Sequence, residues 1–332
     1  MEYTEFCRQL KRLITENEDW NINEEDYTFY PDGFTSETDP DLTFVRDTNM
    51  RYRKMESDVL QGDYIVLETG PDELRSVCRF SLDYLYDEFQ EGGWEAVTDI
   101  VDNNISIAQK INQSGIISHM EEYEYIKERL IIRPLNYTDN KNELQKCIYK
   151  QIGDIALVLY LIVSENTDIG LNTMKVKKEI FEKWGQQPDE IWEAAFINTQ
   201  ISALPRMYIN PMDTYKPPYH KGAFMAFNSD IKTLGRMAVP CITSTKQTNG
   251  AIVMFYPGVK ERIAELYNDS YYVAFTSVHD IRTHCKGTTT PHSILQNVKH
   301  INSTFPKDEV LSRNVWFYDK DKKTFEPLSL IE

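Results

Sequence analysis

Residues 250–285 read GAIVMFYPGVKERIAELYNDSYYVAFTSVHDIRTHC. The apolar run Ala251 to Tyr256, entered through Asn249-Gly250, predicts a strand. Pro257 suits the first turn of a helix, where its missing N–H costs nothing. Val259, Ile263, Leu266 and Tyr267 recur at helical spacing and give that helix one buried face. Asn268-Asp269 stops it. Tyr271 to Thr283 then has the aromatic and β-branched content of a second strand. Strand, helix and strand predict the centre of a C-terminal lobe. The same stretch concentrates chemically versatile side chains: Ser277, His279, Asp280, Arg282, His284 and Cys285.

Working outward, Ile152 to Val163 is the most apolar stretch of the chain and predicts one long buried strand; a buried helix is the alternative for so short a run. Leu130 to Leu135 predicts a strand that Pro134 places at a sheet edge. Lys175 to Trp184 and Asp189 to Ile201 are helical, and Ser202 to Tyr219 is a proline-rich connection. Val315 to Tyr318 and Thr324 to Leu328 form a closing hairpin. Nearer the N-terminus, Phe6, Leu10, Leu13 and Ile14 make an amphipathic opening helix. Asp26 to Phe34, Leu42 to Val45, Asp63 to Glu68 and Val77 to Leu82 predict strands. Asp83 to Phe89 and Trp94 to Ile111 predict helices split by Gly92-Gly93. The pattern is α+β: a mixed, mostly antiparallel sheet flanked by helices, in two lobes. The expected division is an acidic N-terminal α/β lobe over 1–117 and a C-terminal α+β lobe over 118–332.

The net charge of −16 is unevenly spread. Residues 1–150 carry 16 basic and 32 acidic side chains, and residues 151–332 carry 20 of each. Leu13 to Val45 holds ten acids and no Lys or Arg. Such a surface repels nucleic acid and anionic lipid and attracts a basic protein face. Its plainer reading is a solubilising surface. The residues a basic partner would meet are Glu18, Asp19, Glu24, Glu25, Asp26, Asp32, Glu37 and Asp39. The basic group Arg51, Arg53 and Lys54 interrupts this half. Five scattered cysteines without a CxxC pair, and no secretory leader, predict reduced thiols in the cytoplasm. The longest apolar run is far short of the ~20 residues a membrane span needs.

Four arrangements around residues 250–292 invite chemistry. A Ser277, His279, Asp280 set needs Ser bonded to His and His bonded to its acid. In a regular strand Asp280 points away from His279, and Ser277 sits ~6.6–6.8 Å from it, so no local triad forms. The preferred reading of His279 is a ring hydrogen-bonded at a strand end. As metal ligands, His279, His284, Cys285 and His292 lack the spacings that bring donors together. The Tyr256-Pro257-Gly258 turn has one glycine and a proline at the helix entry, which makes it a connector rather than a phosphate cradle. Cys285 beside His284 would be an activated thiol only if the two converged, and neighbours on a strand diverge. His279, Ser277 and Cys285 are the catalytic candidates that remain. No metal site and no cofactor is expected.

Several separated segments resemble the domain-of-unknown-function family 5688, a bacterial family of unknown function. They are Leu135-Asn136-Tyr137 with Asn140-Lys141 and Leu144, then Asp154 to Tyr160, Trp184-Gly185, Ala194-Ala195 and Asn198-Thr199. Tyr256-Pro257-Gly258, Ser277-Val278-His279-Asp280 and Glu309-Val310-Leu311-Ser312 continue the likeness, which covers roughly residues 129–320. The resemblance implies a bacterial, cytoplasmic setting, often among mobile-element genes, and carries no catalytic residue or cofactor. The function expected is a non-enzymatic accessory protein that binds a basic, nucleic-acid-handling protein, in the manner of a counter-defence inhibitor, without binding nucleic acid or membrane itself. The alternative is a hydrolase centred on His279 with Ser277 or Cys285.

Overall fold

The computed structural model of the protein describes residues 1–17, 19, 20, 22, 27–30, 34, 35, 59, 60, 63–69, 76–113, 115–166, 170–210, 213 and 222–328. They group into two compact units: Met1–His119 with Val163–Asn172, and Met120–Ile162 with Thr173–Glu332. Each strand pair of described register is antiparallel, and the fold is α+β. The expected strand at Leu42–Val45, the turn Pro31-Asp32-Gly33 and the basic group Arg51, Arg53 and Lys54 lie outside the described residues.

The first unit opens with helix α1 (Tyr3–Glu16). Strands β1 (Tyr27–Tyr30), β2 (Phe34–Thr35), β3 (Val59–Leu60), β4 (Tyr64–Thr69) and β5 (Ser76–Ser81) follow, then helix α2 (Leu82–Gln113). β4 is central in a three-stranded sheet between β1 and β5. Phe6, Leu10 and Ile14 are buried on one face of α1, as the helical spacing dictates. They join Ile65, Leu67 and Phe80 of the sheet and Leu85, Val97, Val101 and Ile105 of α2 in one core. α2 breaks at Gly93, whose φ of 69° and ψ of −162° interrupt the helix at the expected glycine pair. Phe6 meets rings from both sides of that break, with centroids 5.3 Å from Phe89 and 5.3 Å from Trp94.

The second unit contains α3 (Tyr123–Ile126), β6 (Leu130–Asn136), α4 (Lys141–Leu144), β7 (Tyr149–Ile152), β8 (Ile155–Asn166) as far as Ile162, and β9 (Gly170–Lys175) from Thr173. Next come α5 (Lys178–Lys183), α6 (Pro188–Ser202), β10 (Pro205–Tyr208), β11 (Cys241–Ser244), α7 (Val259–Tyr267), β12 (Tyr271–Phe275) and β13 (Ile281–Cys285). α8 (Pro291–Asn302), β14 (Val315–Asp319) and β15 (Thr324–Pro327) complete it. β8 lies between β6 and β7 and also pairs β9; β6 is an edge, where Pro134 leaves no ladder donor missing. The six-stranded sheet runs β10-β11-β13-β12-β14-β15. Alternation sends Tyr271, Val273, Phe275, Ile281, Thr283 and Cys285 to one fully buried face. The ring pairs Tyr267–Tyr271 and Phe255–Phe275, at 6.0 and 6.2 Å, cover that face from α7 and the turn before it. On the other face Ala274 and Val315 pack beneath Ile294 and Val298 of α8.

Polar side chains fasten these layers. The Ser312 hydroxyl, fully buried, lies 3.0 and 2.9 Å from the two carboxylate oxygens of Asp154 and accepts from the indole N–H of Trp316 at 3.0 Å. Arg313 N–H donates to Asp154 at 3.2 Å, and Asn136 Nδ2 donates to Leu311 O at 3.1 Å. Thr199 Oγ1 of α6 accepts from Ile132 N–H of β6 at 2.8 Å, and Asn198 Nδ2 donates to Lys127 O and Leu130 O. The Tyr256 hydroxyl donates to Thr199 O and Ala203 O, each at 3.2 Å. Trp184 Nε1 donates to Met120 O at 2.8 Å.

Two elements differ from the sequence expectation, and a third differs at its start. Ala251 to Tyr256 forms a buried 3-10 segment over Gly250–Phe255 rather than a strand. Its residues are apolar on all sides, and periodicity does not separate a buried strand from a buried helical turn. The long buried strand expected over Ile152 to Val163 forms as β8 from Ile155 onward; Ile152 ends β7, and the two make a hairpin that turns at Gly153, with φ 58°, and Asp154. Tyr271 to Thr283 is also a hairpin, broken at residues 276–280. There the Ser277 hydroxyl accepts from the backbone N–H of His279 at 2.9 Å and of Asp280 at 3.3 Å, replacing ladder bonds.

Ser312→Ala strips partners from the buried Trp316 indole and from the half-buried Asp154 carboxylate. A loss of about 2–4 kcal/mol is expected from a donor and an acceptor left short of partners. A shift of the urea unfolding midpoint measures it, and an unchanged midpoint would show the clamp to be dispensable.

Candidate functional site

The hairpin turn 276–280 is held on every side. Thr243 Oγ1 donates to His279 O at 2.7 Å, Ala251 N–H to Val278 O at 3.2 Å and Val278 N–H to Glu309 O at 2.8 Å. The Thr276 hydroxyl bonds the Asp280 carboxylate and donates to Asp280 O at 3.0 Å. His279 is half-buried, and its Nδ1 accepts from Asn249 N–H at 3.0 Å. A backbone N–H can only donate, so Nδ1 is the lone-pair nitrogen and the neutral ring carries its proton on Nε2. Ser277 is buried and its oxygen serves two backbone donors. Ser277 and His279 therefore meet through backbone, and neither the Ser277 hydroxyl nor the Asp280 carboxylate hydrogen-bonds the ring.

Cys285 ends β13 on the buried face, fully enclosed, and burial raises its thiol pKa. Its neighbour His284 points to the opposite face, as strand alternation requires. Cys241 is pushed up to about 12, first by burial and then by Asp280. These are the surroundings of inert thiols; an activated one needs its pKa lowered. His292 is exposed in the first turn of α8. Among the described residues, no group of three or more His, Cys, Asp or Glu side chains is placed to hold a metal ion. The Tyr256-Pro257-Gly258 turn is a connector: Tyr256 is tied to α6, and Gly258 caps α7 in the left-handed conformation.

The same face that carries His284 opens into a groove of about 470 Å³ between β12, β13 and α8. Arg282 and His284, two apart on β13, stand beside His300 from α8. Thr276 and Asn297 add polar edges, and Ala274, Ile294 and Val298 form an apolar floor. Burial, and then the Arg282 charge, hold His284 below the usual imidazole range. The shared face of Arg282 and His284 is legible from their spacing of two, and the apolar spacing of residues 293–301 predicts a helix; that this helix packs across the face is not legible.

In the first unit, Asp19 is exposed, while Glu18, Glu24, Glu25, Asp26, Asp32, Glu37 and Asp39 lie outside the described residues. A second acidic surface stands on α2. Asp83, Asp87, Glu91, Glu95 and Asp99 fall at every fourth position and all are exposed. Residues 80–109 contain no Lys or Arg. Burial, followed by the charges of Asp63 and Asp87, raises the pKa of Asp83. Its charge therefore opposes folding as pH rises above the ordinary aspartate range. The repeat runs through the break at Gly93, with Asp83, Asp87 and Glu91 before it and Glu95 and Asp99 after it, and its spacing is visible in the sequence.

A family model described as a family of unknown function (DUF5688) matches residues 51–320. The match begins well before the segments that carry the resemblance and takes in α2. No curated protein and no solved structure matches the chain. Among the described residues, no helix is long and apolar enough to cross a membrane.

Two measurements check the tight turn. A Cβ on Gly250 would come within 2.1 Å of Thr243 Oγ1 and 2.4 Å of His279 O. Gly250→Ala is therefore expected to destabilise the second unit by about 1–3 kcal/mol, the usual cost of overpacking, read from its thermal unfolding. Cys285 is expected to resist iodoacetamide at pH 7.5 in the native protein and to react after denaturation. Rapid native alkylation, mapped by mass spectrometry, would instead make it an open, activated thiol.

Proposed function

From its place in the family of unknown function DUF5688, to which the chain belongs, we propose that this protein acts by binding another protein through its acidic N-terminal half. The partner is a basic, nucleic-acid-handling protein, and the acidic face competes with nucleic acid for it. That role suits an accessory or counter-defence factor of a mobile element. The observation that carries the reading is the α2 surface, with five exposed carboxylates at four-residue intervals and no cation between residues 80 and 109. Within each half of α2, on either side of Gly93, like charges four apart cost roughly 0.2–0.5 kcal/mol per pair. A surface serving solubility alone would intersperse both signs and avoid that cost. The hydrolase alternative has less support, because Ser277 and His279 spend their hydrogen bonds on the turn and Cys285 is enclosed.

The test uses the full chain as bait in a lysate of its native host, with and without nuclease. A captured protein of high isoelectric point, released by salt and by added DNA, is the expected result. Exposed ion pairs contribute roughly 0.2–1 kcal/mol each, so reversing Asp87, Glu91, Glu95 and Asp99 together should weaken that complex at least about tenfold. Binding that survives the reversal would remove α2 from the interface and leave the proposal without its support.

The cost of the acidic row has its own readout. Asp99→Lys replaces a repulsion with Glu95 by an i,i+4 attraction, so the first unit should gain about 0.5–1 kcal/mol in urea unfolding. No gain would show that the row carries no strain.

A further inference from the structure

We infer that the groove between β13 and α8 binds a small organic anion, a carboxylate or phosphate head on a short apolar body. Arg282 carries the inference. Arg282 is half-buried, lines the groove and makes no side-chain hydrogen bond or ion pair with any described residue. An arginine keeps its charge at all physiological pH, and a partly desolvated charge without a partner is costly. His284 stands beside it on the same strand face; burial and the Arg282 charge favour its neutral ring, which offers an anion a hydrogen bond rather than a second charge. His300 closes the third side.

Groups of the opposite sign are already engaged. Asp280 is the carboxylate nearest along the chain; it is bonded by the Thr276 hydroxyl and forms no ion pair with Arg282. The carbonyls in the last turn of α8 would disfavour an anion, but those of Lys299, His300 and Ile301 accept from the N–H groups of Ser303 and Thr304. Arg282, His284, His300 and Asn297 line the groove together with its apolar floor, and most of the surface it exposes is apolar. A planar fork matches a carboxylate or phosphate in two parallel hydrogen bonds. The floor of Ala274, Ile294 and Val298 suits an aliphatic or aromatic tail. A volume of about 470 Å³ falls in the range of small-molecule pockets, roughly 300–1,000 Å³. It is too small for a folded partner. The site lies in the second unit and does not depend on the acidic surface of the first.

The probes are hexyl phosphate, hexanoate, inorganic phosphate and neutral hexanol, titrated calorimetrically into the full chain. Hexyl phosphate and hexanoate are expected to bind; inorganic phosphate should bind more weakly and hexanol not measurably. Arg282→Gln should weaken hexyl phosphate by at least about tenfold, the usual cost of losing a hydrogen bond to a charged group. Lys299→Gln, which removes a nearby charge that does not line the groove, should change it less than twofold. On the wild-type protein, hexyl phosphate should shift the methyl resonances of Ile294 and Ile301 and the imidazole resonances of His284 and His300. That readout needs no variant to fold. Equal binding of hexanol and hexyl phosphate, full affinity in a folded Arg282→Gln, or shifts confined to other residues would each overturn the site.

Discussion

The second unit depends on one buried hydroxyl. Ser312 bonds the Asp154 carboxylate at the tip of the β7–β8 hairpin and accepts from Trp316 in the core of the six-stranded sheet. Two sheets that share no strand are thereby joined through a buried hydroxyl and a buried indole, where an unmade hydrogen bond is costly. The segments around it obey the same logic. Asn136 reaches Leu311 O, Thr199 receives the Ile132 amide, and Val278 donates to Glu309 O. Most of the segments that carry the family resemblance supply these joins. What the family likeness marks in this chain is therefore an assembly of layers. The side chains that looked reactive in isolation are part of it.

This explains the fate of the Ser, His, Asp and Cys cluster. A catalytic serine needs an available hydroxyl and a basic nitrogen within reach. Ser277 spends its oxygen on two backbone donors, and the only lone-pair nitrogen of neutral His279 receives Asn249 N–H. Cys285 belongs to the sheet core. Chemistry-bearing residue types at short spacing can equally be turn formers, because the hydrogen-bonding capacity that serves catalysis also closes a tight hairpin.

Charge is distributed differently in each unit. The acids of the first unit recur along α2, where they face water and one another. In the second unit the arginine and histidines of the β13 groove meet an apolar floor instead of carboxylates. Neither arrangement is what folding alone would select, since like charges on a helix and an unpaired guanidinium in a groove both oppose stability. The proposed basic partner rests on the first arrangement and the proposed small anion on the second.

The sequence by itself determined the α+β class, the amphipathic faces of α1 and α7, the break of α2 at its glycines and the closing hairpin. Each follows from local periodicity or from the backbone freedom of one residue, which need no distant partner. It also contained the four-residue repeat of acids from Asp83 to Asp99, which was readable once both halves of α2 were taken as one row. Tertiary structure alone decided the rest. Tyr271 to Thr283 looks like one strand, because a hairpin turn made of Ser277-Val278-His279 is short beside the apolar residues that flank it. Ala251 to Tyr256 is helical because it is buried on all sides, which leaves no alternation to read. The groove exists only where α8 lies across Ala274 and Val315. Arg282 and His284 could be assigned to one face from their spacing, but the side chains opposite them come from residues 294–301. Packing, not any local pattern, brings those two segments together.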